Sequence, residues 1–231
     1  MRQSSKWRLD LPEIAPSGEK AISLLVVQQS SLPILSIGVS DAGVTEIRMA
    51  QASGRHVKAI SVDQEGIQIS CRFARLARVD SCVEFFMHDV RSGFSSIGDG
   101  TIGFVYARQS LHYLEKQELG TVLTEIHRLL ETEGLFFMVV KSVDDRWAQH
   151  PSATYDPSTA MTTWIYPREG NTGLTMRRQF FTPETLRSYA DGAGFHVVNI
   201  ESHEEVLYWD YAHTRKDEHS SSLLSMCCVK R

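Results

Sequence analysis

The chain has 231 residues, 42% of them hydrophobic, enough for one domain with a sizeable core. Its 24 lysines and arginines against 28 aspartates and glutamates leave a net charge of −4, which excludes a basic field for nucleic acid or an anionic membrane surface and leaves small molecules as the expected partners. Cys71, Cys82, Cys227 and Cys228 lack a paired C-x-x-C spacing, MRQSSKWRLD lacks a signal-peptide core, and apolar runs such as 135–140 are too short for a bilayer, so the expected address is cytoplasmic.

In chain order, the pattern predicts a first strand over 34–37, a tight turn at Gly38, a helix over 44–52 and a second strand over 57–62. A helix over 65–78 follows, with Ile67, Cys71, Ala74 and Leu76 on one side, then a strand over 83–87. After the Gly98-Asp99-Gly100 turn come a strand over 102–107 and a helix over 116–130 with Leu119, Val122, Leu123, Ile126 and Leu130 on one face. Gly134 then stops the chain before a fifth strand over 135–140. This alternation predicts an α/β fold with a mainly parallel sheet.

From 141 to 178 the pattern breaks, and a stretch rich in Pro, Ser, Thr, Trp and Tyr reads as a lid with its own short elements. Thr182 is the expected N-cap of a further helix with Pro183 in its first turn, and Gly192 and Gly194 close it. Strands over 195–200 and 222–229 end the chain, and the polar, aromatic link 203–220 between them has no clear period.

The stretch 33–63 organises the rest. In an open α/β sheet it places a turn and a helix N-terminus at the carboxyl edge of the first strand, with the Asp63 carboxylate beside them, where a nucleoside-containing cofactor would sit. The spacing from Gly38 to Asp63, 25 residues, is near the roughly 20 of such fingerprints.

Taken together, ILSIGVSDAG, AISVD, FFMHDV, IGFVYARQSLHYL, EIHRLLETEGLFFMVVKSVDD and FFTPETLRSYADGAGFHVVNIES resemble the class I S-adenosylmethionine-dependent methyltransferases over nearly the whole chain. The nearest likeness is to the small-molecule branch that includes the tellurite-resistance type. The resemblance implies a single domain over 1–231 with a Rossmann-like, doubly wound, mostly parallel sheet of seven strands. Its last strand is antiparallel, helices cover both faces, and a lid is inserted over 141–181. It implies S-adenosylmethionine as cofactor and a small-molecule methyl acceptor, with a homodimer or protein partner compatible.

Position by position, Gly38 and Ser40 fall in the cofactor loop, and Asp63 with Gln64 falls beside the ribose. Asp89 and Val90 fall beside the adenine, and Ala107 and Arg108 at the amino-acid end of the cofactor. His112 and Tyr113 face the reaction pocket, His112 as a base for an oxygen or nitrogen acceptor. The loop departs from the family's acid-x-Gly-x-Gly-x-Gly: Ser36, Ser40 and Ala42 stand in place of the acid and two glycines. Ser40 and Ala42 must then adopt a tolerable backbone or narrow the site, and Gly43 can take over part of the turn.

Each of these residues also has a plainer role. Gly38 can simply close a turn, Asp63 can cap the following helix, Asp89 can be a solvated turn residue and Arg108 a surface charge. His112 and Tyr113 can be packing residues. Trp147, Tyr155, Trp164 and Tyr166 are expected to form the core of the lid, with a platform for an apolar acceptor as the alternative. Arg177 and Arg178 are read as surface charges or as a grip on a substrate carboxylate. Cys227 and Cys228 read as buried packing residues, and His196, His203, His213 and His219 lack metal-site spacing.

Three functions follow. The first is small-molecule methyl transfer; the second is a catalytically inactive protein of the same fold that serves as a binding or regulatory partner. The third is a nicotinamide-dependent reductase, disfavoured because Tyr113 and Lys116 are one residue too close for a Tyr-x-x-x-Lys pair.

Overall fold

The computed structural model describes residues 11–39, 41–166, 173–208 and 216–231. Its central sheet forms around the most apolar strands. β1 (Ile34–Ile37) is buried at every position, and it lies between β2 (Val57–Ser61) and β4 (Ile102–Arg108). With β3 (Val83–Met87), β5 (Leu130–Lys141), β9 (Phe195–Tyr208) and β10 (Lys216–Lys230), the seven strands run in the order β3-β2-β1-β4-β5-β10-β9. β1 to β5 are parallel, and β10 is antiparallel to both its neighbours. The expected seven-stranded sheet with an antiparallel last strand is thus present.

Strand alternation divides the core into two layers. Leu35, Ile37, Val105, Ala107 and Met138 pack against α4 (Lys116–Leu129) and α5 (Pro183–Gly192). Ile34, Phe104, Tyr106, Phe137 and Val139 point the other way, onto α1 (Pro16–Val27) and α2 (Val44–Ser53). α3 (Gln64–Leu76) packs beside α2 against β3. Among the described residues no helix is long and apolar enough to cross a membrane.

Three elements differ from the sequence reading. α1 is additional: Pro16 starts it, Glu19 lies in its first turn, and Ala21 and Leu25 at i, i+4 spacing bury its inner face. Its Gly18 lets the helix approach α2, since a Cβ there would lie 3.2 Å from Thr45 Oγ1. α4 ends at Leu129, one residue short of the expected 130, and β5 begins at once at Leu130 rather than at 135. Gly134 is needed instead for a tight passage, where a Cβ would stand 2.7 Å from the Glu131 carbonyl oxygen. The link read as aperiodic over 203–220 is mostly strand, because β9 and β10 pair beyond the packed part of the sheet. There each strand satisfies its backbone on the other, with Glu204, His219 and Ser220 exposed and Glu205 buried. His213 falls outside the described residues.

The stretch read as a lid holds a three-stranded antiparallel sheet of β6 (Thr154–Asp156), β7 (Met161–Tyr166) and β8 (Leu174–Arg178). α5 begins as the sequence requires, with Thr182 Oγ1 accepting from the Thr185 N–H at 3.2 Å and Pro183 in the first turn.

Candidate functional site

A cleft of about 480 Å³ opens at the carboxyl edge of β1, β2 and β4, within the range of small-molecule sites. Six expected site residues line it: Gly38, Asp63, Asp89, Val90, Arg108 and Tyr113. Gln64, Ala107 and His112 do not, and Ser40 lies outside the described residues. Gln64 opens α3 at the surface, and Ala107 is buried in the sheet.

Gly38 is required twice over. Its φ of +84° is the left-handed region, and a Cβ built on it would overlap the Cβ of Ser110. Ser110 is itself held there, its hydroxyl donating to the Ile37 carbonyl at 2.6 Å. The chain after β1 and the chain after β4 therefore meet at the floor of the cleft.

Beyond Gly38 the departures from the glycine-rich pattern take physical form. Ala42 sits in the left-handed region at φ 56°, ψ 32°, and Gly43 at φ 76° is the N-cap of α2. The alanine thus adopts the backbone its position demands, and Gly43 does share the turn. Ala42→Gly is expected to stabilise the fold by about 1 kcal/mol, the left-handed cost of a Cβ less the added chain entropy, read as a higher denaturant midpoint. A lower midpoint would mean that the methyl group's packing outweighs the strain.

The acid absent from position 36 is matched in space by a residue that sequence reading passed over. Ser36 Oγ donates to Glu46 Oε1 at 2.7 Å, and both residues are fully buried. Glu46 comes from the first turn of α2, where a carboxylate faces the helix N-terminus. Its hidden signal was an acidic residue within an otherwise buried helix face.

Asp63 combines both of its readings. It lines the cleft, and Oδ1 accepts from the Glu65 N–H at 3.1 Å as the N-cap of α3. Asp89 likewise caps the short turn Val90–Ser92 and is gripped by Arg91, with Nε at 3.0 Å from both oxygens and Nη2 at 2.6 Å from Oδ2. The Arg91 hydrogen bond holds the Asp89 carboxyl below the usual range.

Arg108 is not a surface charge. Its Nη2 donates to Glu205 Oε2 at 2.9 Å and its Nε to Ser17 Oγ at 3.1 Å, while the Ser17 N–H donates to Glu205 Oε1 at 2.8 Å. α1, β4 and β9 are joined through this buried group. Burial alone would raise the Glu205 carboxyl, but His203, Arg108 and Ser17 outweigh it and leave it at about 2.

His112 and Tyr113 separate. Tyr113 is half exposed in the cleft, whereas His112 is fully buried, with neither ring nitrogen hydrogen-bonded among the described residues. Burial, then Arg178 and Lys141, hold its imidazole well below the usual range and therefore neutral. In the inserted sheet Trp147 stacks on Trp164 at 6.0 Å and lies 4.9 Å from Tyr166; of the four expected core aromatics only Trp164 is buried, Trp147 and Tyr166 are partly exposed and Tyr155 is exposed. Gln179 fastens the end of β8 to the turn over Leu111–Leu114: its N–H donates to His112 O at 2.8 Å and its Nε2 to Leu114 O at 2.6 Å.

The cleft's features suit a nucleoside-bearing cofactor: a glycine that brings backbone close and carboxylates after β2 and β3. Residues 35–138 match the family model for a methyltransferase domain. No curated protein matches the chain significantly. Among solved structures, an S-adenosylmethionine-dependent methyltransferase from Methanosarcina mazei is 17% identical, covering 95% of this chain and 99% of its own at a TM-score of 0.68. The CcbJ methyltransferase from Streptomyces caelestis is 16% identical, with 98% and 100% covered and a TM-score of 0.68. The [4+2]-cyclase SpnF is also similar, at 15% identity, 92% and 80% coverage and a TM-score of 0.59.

Proposed function

Starting from the match of residues 35–138 to a methyltransferase-domain model, we propose that the chain is a class I S-adenosylmethionine-dependent methyltransferase that transfers a methyl group to a small-molecule acceptor. The observation that carries this reading is the cleft at the Gly38–Ser110 contact, flanked by Asp63 and Asp89. S-adenosylmethionine bound there would supply an electrophilic methyl group and a neutral leaving group for in-line displacement. Asp63 would hold the ribose hydroxyls, and Val90 the adenine. Asp89 would meet the adenine only in competition with Arg91.

The chain's own contribution is orientation and exclusion of water, which suffice for a displacement with a neutral leaving group. His112 is too deep to take a proton from an acceptor in the cleft, so the reading favours acceptors that need no side-chain base, or transfer of the proton to water. The lid over 141–181, in our reading a cap on a single domain, closes the acceptor side.

S-adenosylhomocysteine is expected to raise the melting temperature of the protein, since a ligand at about 100 times its Kd adds about 2.7 kcal/mol to stability. Asp63→Asn keeps a good N-cap but removes the charge, and should weaken that ligand by about 1–3 kcal/mol. An unchanged thermal shift in the variant would remove Asp63 from the site, and no shift in the parent protein would remove the function.

A further inference from the structure

The two arginines at the end of β8 have different fates. Arg177 pairs with Glu115 at 2.6 Å in solvent. Arg178 turns to the lid's aromatic wall, its Cζ 5.0 Å from the Tyr113 ring and 5.6 Å from the Trp164 ring. Among the described residues no carboxylate pairs with Arg178, and its Nε is buried without a hydrogen-bond partner. Trp164, only 1% exposed, carries a second buried donor, Nε1, without a partner among the described residues. His112, fully buried behind Tyr113 at a ring separation of 4.5 Å, is a third polar side chain without one.

The buried Asp145 carboxylate is already engaged by Lys141, whose Nζ lies 3.0 Å from Asp145 Oδ2 and 2.5 Å from Ser221 Oγ. The Arg178 Nε–H and the Trp164 indole N–H, both buried and both without an acceptor among the described residues, are costly unless something supplies one. Tyr113 joins this place to the cofactor cleft, because one ring lines the cleft and stacks under Arg178. The Gln179 hydrogen bonds fix Arg178's strand against the turn that carries Tyr113.

We propose that the lid face formed by Arg178, Trp164 and Tyr113 is the acceptor subsite, and that it takes an aromatic carboxylate. The guanidinium receives the carboxylate oxygens, the indole N–H adds a second donor, and the aromatic wall continued by Trp147 and Phe180 receives the ring. This rests on the methyltransferase reading for its role, though not for its existence.

Benzoate and its neutral isostere benzamide, titrated into the full chain and followed by tryptophan fluorescence, test it. Benzoate should bind about tenfold more tightly than benzamide, the worth of a charge-assisted hydrogen bond, and Arg178→Met should erase the difference while leaving S-adenosylhomocysteine affinity unchanged. Equal binding of the two probes to the parent protein would overturn the proposal without any variant, as would a benzoate preference that survives Arg178→Met. A benzoate preference in a protein that fails to bind S-adenosylhomocysteine would keep the subsite and remove the methyltransferase role. Cofactor binding with no preference would do the reverse.

Discussion

Gly38→Ala is expected to abolish measurable S-adenosylhomocysteine binding and to lower stability by about 2–4 kcal/mol. Two costs add. The residue keeps a φ of +84°, where a side chain is strained, and its new methyl group is forced into Ser110 at the cleft floor. Ser110 cannot swing aside without breaking its hydrogen bond to the Ile37 carbonyl. Pairing the change with Ser110→Gly separates the two: the overlap disappears, the backbone strain remains, and about half the lost stability should return. Denaturant midpoints of the single and double variants read this directly. A Gly38→Ala protein with parental stability and affinity would mean that the β1 and β4 loops do not meet as described.

Glu205→Gln should cost about 3–5 kcal/mol of stability, because it leaves the Arg108 charge buried with half its partnership. Arg108→Met should cost a similar amount, and Arg108→Met with Glu205→Leu less than the sum, since neither charge is then stranded. The pair also sets a pH dependence. The Glu205 carboxyl lies at about 2 in the fold against an ordinary 4.5, so its contribution is complete above 4.5 and is lost as the pH falls toward 2. Over that window the parent protein should lose about 3 kcal/mol more stability than Glu205→Gln, measured by denaturation at each pH. Parallel acid profiles for the two proteins would show that the Arg108 group does not bind α1 and β9 together as inferred.

The parallel half of the fold was legible because its signals are local. Buried strands such as β1 and β4 read as continuous apolar runs, α4 carries its apolar face at helical spacing, and Thr182-Pro183 marks a helix start without outside help. α1 was missed because its apolar side is made partly of Ser17, Gly18 and Ala21, small residues that are buried only because α2 and β9 lie against them. The β9–β10 extension was missed because a solvated ribbon has no hydrophobic alternation to show.

The site divides along the same line. Gly38 and Asp63 follow from the strand-turn-helix pattern, and the structure brings both to one cleft. Arg108 was placed in the right cleft, but its side chain is spent on Glu205, 97 residues away, a partnership that no local pattern reveals. His112 stands beside Tyr113 in the chain yet behind it in space, since a short 3-10 turn over Leu111–Tyr113 sends neighbouring side chains in different directions. Ser36 marks a missing acid in the sequence, and only the fold shows Glu46 reaching it from the next helix.

The most direct test of the central claim, a working cofactor cleft between Gly38 and Asp63, is calorimetric titration of the purified chain with S-adenosylmethionine and, separately, with S-adenosylhomocysteine. One site per chain with micromolar affinity for both, about −8 kcal/mol, is the expected result. No heat and no displacement of one by the other up to millimolar ligand would contradict it.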